Sequence, residues 1–367
     1  MEGLGRSGAR LQGLDFLQID DGGCLPLACV PGGRRGRYAP PEGLRDAWRR
    51  QQYPAKDFPA CLRDNHRRPV SADFQTPSPM DLAFFLIQLL NGLQYGLLLF
   101  LVASGLTLVF GIMGIINLAH GSFYMVGAYM AWSLSSLTGS LAAAVALAVP
   151  LTVILGMGLE RLLFRHLYQR DHLYQVLLTY GLILVFEELR SLIWGDDVHG
   201  VAVPELLNAS IPLTDNLSYP VYRLAISGVC LLLAAALYFL IQKTRLGMMI
   251  RAGASNREMV QSLGIDIKLI YTLVFALGIT LAAFAGMINA PLSSVFPNMG
   301  GGVLIICFVV VVIGGIGSVK GALAASLMIG LAETFGQVLV PEVAGMIVYV
   351  LMAIVLVWRP QGLFGKA

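Results

Sequence analysis

Few residues in this chain have side chains able to do chemistry, and the informative ones interrupt apolar sequence. Asn117 and His120 lie in Asn117-Leu-Ala-His120-Gly-Ser122, and Glu333 lies in Ala332-Glu-Thr-Phe-Gly-Gln337. Glu333 and Gln337 are four apart, which places them on one face of a helix. Ser122 is grouped with Asn117 and His120, and Glu333 with Gln337, as two polar clusters within apolar sequence. An ionisable group at the centre of a membrane helix costs roughly 2.5–3.5 kcal/mol on insertion scales, so such groups are expected to face a cavity or a partner. Two readings stay open. Either both clusters line a translocation path, or Asn117 and His120 tie a broken helix to its neighbours while Glu333 lies near a membrane face.

Catalytic signatures are missing. Gly314-Gly-Ile-Gly-Ser-Val-Lys320-Gly321 has glycines and a lysine but not the G-x-x-x-x-G-K-[ST] order that cradles phosphates, so the chain is not expected to hydrolyse ATP unaided. H-E-x-x-H, G-x-S-x-G and a dinucleotide fingerprint are lacking as well, so no catalytic residue, metal site or bound cofactor is assigned. The cysteines Cys24, Cys29, Cys61, Cys230 and Cys307 are odd in number and form no C-x-x-C, which argues against a disulfide framework or a zinc site. Cys230 and Cys307 read as small apolar packing residues. Gly92 with Gly96, and Gly317 with Gly321, have the small-xxx-small spacing that lets helices approach closely. Glu187 and Arg190 form an i,i+3 pair that satisfies itself, and no chain of ionisable groups crosses the spans as a proton relay would need.

The elements that must position these residues are membrane spans. An apolar fraction of 56% with 13% charged residues and a mean hydropathy of +0.72 lies far from ordinary soluble composition. Apolar stretches long enough to cross a ~30 Å hydrocarbon layer run at roughly 82–110, 112–136, 139–162, 174–194, 221–242, 268–290, 301–318, 321–339 and 342–358. The expected fold is an all-α polytopic transmembrane bundle with nine candidate spans, within a range of eight to ten. The second is expected to be broken or re-entrant, because Gly111 to Gly121 is glycine-rich and holds Asn117 and His120.

Charge sets the orientation. Arg161, Arg165, Arg170, Lys243, Arg245, Arg251, Arg257, Lys268, Lys320, Arg359 and Lys366 fall on one side if the spans alternate, against Arg223 alone on the other. The positive-inside rule then puts the C-terminus in the cytoplasm. The opposite segment from Gly195 to Pro220 is acidic and reads equally as a connector or as a contact for an extracytoplasmic partner.

Residues 1–79 differ from the rest. They hold 12 of the 25 basic and 9 of the 22 acidic residues, are rich in Arg, Gly and Pro, and lack a periodic apolar stretch. They are expected to be disordered or to precede the true start, with Met80 as a natural start residue. Their basic excess is too scattered to argue for nucleic acid.

One hydrophilic segment between spans stands out: Lys243 to Gly264, continuing to Lys268. Ser255 followed by Glu258 has the spacing of a capping box, and Gly264 supplies a left-handed stop. The spacing predicts a short helix with Met259, Val260 and Leu263 on one face. With Arg257 beside them, Ser255 to Gly264 form a candidate docking surface for a second protein.

Four motifs in order then resemble a known family. They are Gly105-Leu-Thr-Leu-Val-Phe-Gly-Ile-Met-Gly-Ile-Ile-Asn-Leu-Ala-His-Gly-Ser-Phe-Tyr-Met-Val-Gly-Ala-Tyr129; Arg245-Leu-Gly-Met-Met-Ile-Arg-Ala with Leu263-Gly264-Ile265; Ile313 to Gly321; and Arg359-Pro-Gln-Gly-Leu-Phe-Gly365. Over about residues 80–366 the chain resembles the membrane permeases of bacterial ABC importers for branched-chain amino acids. The resemblance implies a multi-pass inner-membrane subunit that pairs with a second, similar permease, two cytoplasmic ATPase subunits that use the ATP, and an extracytoplasmic solute-binding protein. It also implies that Ser255, Arg257, Glu258, Met259, Val260, Leu263 and Gly264 couple to the ATPase. Many relatives carry an acidic residue where this chain has Ser122, so no carboxylate role carries over there. Similar permeases serve urea and short amides, which is the alternative substrate class. A stand-alone secondary transporter would need more intramembrane carboxylates than Glu333.

Overall fold

The structure is a computed structural model that describes residues 82–168, 170–214 and 217–365. The expectations for the tail, for Met80, for Cys24, Cys29 and Cys61 and for Lys366 lie outside the described residues.

Two long helices form the centre. α1 (Leu82–Met113) is apolar all round, and every residue from Gly96 to Val109 is buried, as a helix surrounded by others requires. α8 (Ile267–Asn289) crosses it where Gly105 meets Gly278; a Cβ on Gly278 would sit 2.9 Å from the Gly105 carbonyl oxygen. The two run in opposite directions. The first residues of α5 (Val221–Lys243) show this, because Tyr222 donates to Ile288 O near the end of α8 (2.8 Å) while Arg223 donates to Asn91 near the start of α1 (2.9 Å).

The expected break is present. α1 ends at Met113, and Gly114 closes it with a left-handed φ of 69° and an amide donating to Phe110 O at 2.9 Å. After a non-helical segment, α2 (His120–Thr138) begins beside Val102, partway along α1. α9 (Met299–Gly314) likewise starts inside the bundle, with Gly300 packed on Gly121, so the two helix N-termini meet. α3 (Leu141–Leu162) lies along α8, and α10 (Val319–Leu339) lies along α1. α4 (His172–Trp194) follows α3 and α11 (Ala344–Trp358) follows α10, so four long helices, α1–α4, precede α5 and its two short helices and four, α8–α11, come after them.

Among the described residues nine long helices correspond to the nine apolar stretches, and six runs, α11 being counted with the short turn Pro341–Val343 before it, have both the length and the composition to cross a membrane. α9, with 16 residues, covers about 24 Å at 1.5 Å per residue. That is less than a full ~30 Å crossing, and the helix starts inside the bundle. The count of nine spans is therefore approximate: α2 and α4 are long enough but less apolar, and α9 is apolar but short.

The segment after α4 is folded. It holds an antiparallel hairpin, β1 (Ser210–Thr214) and β2 (Leu217–Pro220), and His199 pairs with Val295 through two 2.8 Å backbone bonds. At its start Arg190 donates to Gly195 O (2.6 Å) and Asp196 (2.8 Å) and pairs with Glu187 (3.4 Å). Bonds from Arg190 and Ser191 hold the Asp196 carboxyl below its ordinary pKa. Cys230 and Cys307 are buried and free.

Candidate functional site

The interior polar site is built on the break between α1 and α2. Asn117 is fully buried and its Oδ1 accepts from the Ala119 amide at 3.1 Å, which shapes the turn that starts α2. His120, also fully buried, reaches back to α1, where Nε2 donates to the Val102 carbonyl at 2.9 Å. A carbonyl only accepts, so Nε2 carries the proton and Nδ1 of the neutral ring is left as an acceptor. Nδ1 of His120 and Nδ2 of Asn117 are buried without a hydrogen-bond partner among the described residues. Ser122 is buried beside them in the first turn of α2.

Glu333 and Gln337 form a second cluster, on α10. Gln337 is exposed, and its amide stands 3.5 Å from Glu333 Oε1. Tyr95 of α1 approaches the carboxylate, whose Oε2 is buried without a partner among the described residues. Tyr95 precedes Val102 by seven residues, about 10 Å along a helix axis, so the structure keeps this cluster apart from His120. Tyr124 lies between them. It follows His120 by one turn, sits close to Tyr95, and accepts from Asn289 Nδ2 at 2.7 Å; Asn289 also donates to Ser293 Oγ at 2.8 Å. Tyr95, Tyr124, Asn289 and Ser293 were not singled out from the sequence. Their signals are weak there: Tyr124 is four residues after His120, and Asn289 and Ser293 are four apart where an apolar run ends.

The hydrophilic segment after α5 folds as two helices, not one. α6 (Arg245–Ser255) is capped by Thr244, whose Oγ1 accepts from Gly247 N at 3.1 Å. α7 (Arg257–Ser262) is capped by Asn256, which accepts from Met259 N at 3.0 Å. The expected Ser255–Glu258 capping box is thus displaced by one residue. Ser255 is already helical as the end of α6, and the better-placed Asn256 takes the extended cap conformation. Gly264 does adopt the left-handed conformation (φ 79°). Met259, Val260 and Leu263 do not share one face: Val260 is 3% exposed, whereas Met259 and Leu263 are 60% and 72% exposed. Residues four apart align on a helix and adjacent ones diverge by about 100°, so Val260 packs inward while Met259 and Leu263 face outward. Ser255 and Glu258 are exposed. Arg257 turns toward the bundle, where Nη2 donates to Met113 O at 2.8 Å and the guanidinium lies 5.6 Å from the Tyr271 ring centre.

Residues 88–356 match the family described as branched-chain amino acid transport system / permease component. The chain belongs to this family. It is 31% identical over 299 residues to the high-affinity branched-chain amino acid transport system permease protein BraD of Pseudomonas aeruginosa, covering 77% of this chain and 96% of that one. It is 30% identical over 298 residues to LivH of Escherichia coli K12, with the same coverage. Among solved structures it is similar to PsaBC from Streptococcus pneumoniae in complex with Fab, at a TM-score of 0.42 and 11% identity over 73% of this chain and 89% of that one. The chain is a multi-pass membrane permease component.

Glycines bring the permease helices together around the site. A Cβ on Gly96 would lie 2.9 Å from the Leu327 backbone of α10, and one on Gly92 would lie 2.9 Å from the Leu331 side chain. Gly321 packs against Gly314. Gly317 is not part of a helix face with Gly321, as its spacing suggested: it occupies the turn before α10 with φ 77° and meets Gly111. A buried carboxylate that sequence reasoning passed over, Glu160 of α3, accepts from Thr272 of α8 at 2.6 Å and from Tyr168, so two hydroxyls satisfy it.

Proposed function

We propose that the permease forms the translocation path of an ABC importer for branched-chain amino acids. It pairs there with a second, different permease subunit, two cytoplasmic ATPase subunits that bind and hydrolyse the ATP, and an extracytoplasmic solute-binding protein. The observation that carries the reading is α7: a capped helix between two spans whose Met259, with Leu263 just past its end, faces outward. An exposed apolar pair on a basic, hydrophilic segment suits the groove of a partner, and the chain's lack of its own phosphate loop supplies the reason for that partner. The distribution of basic residues supports a cytoplasmic side for α6, α7 and the C-terminus. The family membership and the names of the relatives favour branched-chain amino acids over urea or short amides.

Within the path, Asn117 Nδ2 and His120 Nδ1 offer an unfilled donor and acceptor beside Ser122, and Glu333 with Gln337 offers a second polar station. The break of α1–α2 is tolerated because it lies buried in protein. Affinity purification of the tagged permease from its native membrane tests the assembly. The expected result is co-purification of a second permease and ATPase subunits; recovery of the permease alone, active under an ion gradient, would sink the reading.

A further inference from the structure

We propose that Arg257 is the positioning residue that carries motion of α7 into the joint between α1 and α2. This rests on the reading of α7 as the ATPase-docking helix. Arg257 is the first residue of α7, yet its guanidinium leaves that helix and binds two others. Nη2 donates to Met113 O (2.8 Å), one of the terminal α1 carbonyls that no further helical turn can satisfy. The same group lies over Tyr271 of α8, and Gly114 presents its Cα to it: a Cβ there would stand 3.3 Å from Nη2. A cation at the C-terminus of α1 also meets the negative end of its dipole. Arg257 thus holds the point where α1 stops.

The segment beyond that point has little slack. Ile115, Asn117 and Ala119 are fully buried, and its far end is pinned by the His120–Val102 bond. Met113 and His120 are therefore two anchors of one strap, with Arg257 gripping the first. The other loop arginine with a backbone partner, Arg251, binds Ile241 O of α5 and does not touch the joint. Val260 also faces the bundle, but an apolar contact has no directional grip on a carbonyl. α7 accordingly has one face for a partner, Met259 and Leu263, and one residue for the strap.

The test uses the complete importer in proteoliposomes, measuring bound ATPase, ATP hydrolysis and solute moved per ATP together. Arg257→Ala is expected to retain the ATPase subunits and hydrolyse ATP while solute moved per ATP falls about fivefold or more, the usual scale of a coupling interaction. Arg257→Lys, with the charge and one donor kept, is expected to recover part of the loss. Should the alanine variant fail to fold, Arg257→Met keeps the apolar stem without a donor and is expected to show the same fall. An unchanged ratio in the alanine or methionine variant overturns the proposal. So does loss of ATPase binding by Arg257→Ala to the degree seen with Met259→Asp plus Leu263→Asp, which would make Arg257 a docking contact. If that double variant keeps its ATPase subunits, the docking reading falls, and this proposal with it.

Discussion

Shortening the outward face of α7 separates docking from folding. Met259 and Leu263 are 60% and 72% exposed, so more than half of each side chain is available for burial against a partner. Complete burial of a Met or Leu side chain is worth about 1.5–3 kcal/mol, which at these exposures gives about 2–4 kcal/mol for the pair. The Met259→Ala, Leu263→Ala double variant should forfeit most of that and weaken ATPase binding roughly thirtyfold to a thousandfold, at 1.4 kcal/mol per tenfold. The fold should hardly respond, since surface truncations stay within about 0.5 kcal/mol. Val260→Ala is the contrasting change. It removes two buried methyl groups, should loosen α7 by about 2 kcal/mol, and acts on binding only through that loosening. Binding of purified ATPase subunit to immobilised permease reads the affinity, and thermal unfolding reads the fold. Unchanged affinity in the double variant, with the fold intact, would refute the reasoning.

Further outcomes follow from other sites. Gly121→Val should prevent stable folding, because a Cβ there would meet the Leu304 side chain at 2.8 Å and the Gly300 carbonyl still closer; detergent-solubilised yield and thermal unfolding measure it, and wild-type behaviour would disprove the crossing. Gly114→Ala should cost about 1–2 kcal/mol from the left-handed backbone alone, whereas Gly158→Ala, with open space around it, should cost nothing by the same measurement. His120→Leu, which keeps the bulk and deletes the donor and the free Nδ1, should assemble yet lose solute uptake; full uptake would return His120 to a purely structural role. Arg190 and Ser191 lower the Asp196 carboxyl below an ordinary value of about 3.9, so its stabilising effect is complete above that value and lost only as pH falls through the lowered one. Titration of Asp196 by NMR should find that lowered midpoint, and Arg190→Gln should raise it.

The bundle was legible because membrane crossing imposes length and apolarity on sequence. The break was legible too, since Gly114, Asn117 and His120 cannot sit quietly in one continuous apolar helix. The inward start of α9 was not: Met299 to Gly314 reads as an ordinary apolar run, and Asn298, in a left-handed conformation (φ 60°), carries the turn with no stronger mark than its residue type. The small helix at Asn256 was found with its start one residue early, because Ser255 and Asn256 are both good caps and local spacing favoured the wrong one. The inward role of Arg257 was hidden for a different reason. Its partner, Met113 O, is a backbone atom 144 residues away, and backbone acceptors leave no trace in side-chain type. The hydroxyls of Tyr95 and Tyr124 were masked because tyrosine passes for an ordinary apolar filler until its oxygen is placed.

Reconstitution decides the central claim. Permease, second permease, ATPase subunits and solute-binding protein are assembled in liposomes, and uptake of leucine, isoleucine and valine is followed with each component omitted in turn. The account predicts ATP-dependent uptake of these amino acids, abolished when the ATPase subunits are left out and not supported for urea. Uptake by this permease alone, or equal uptake without ATP, would contradict it.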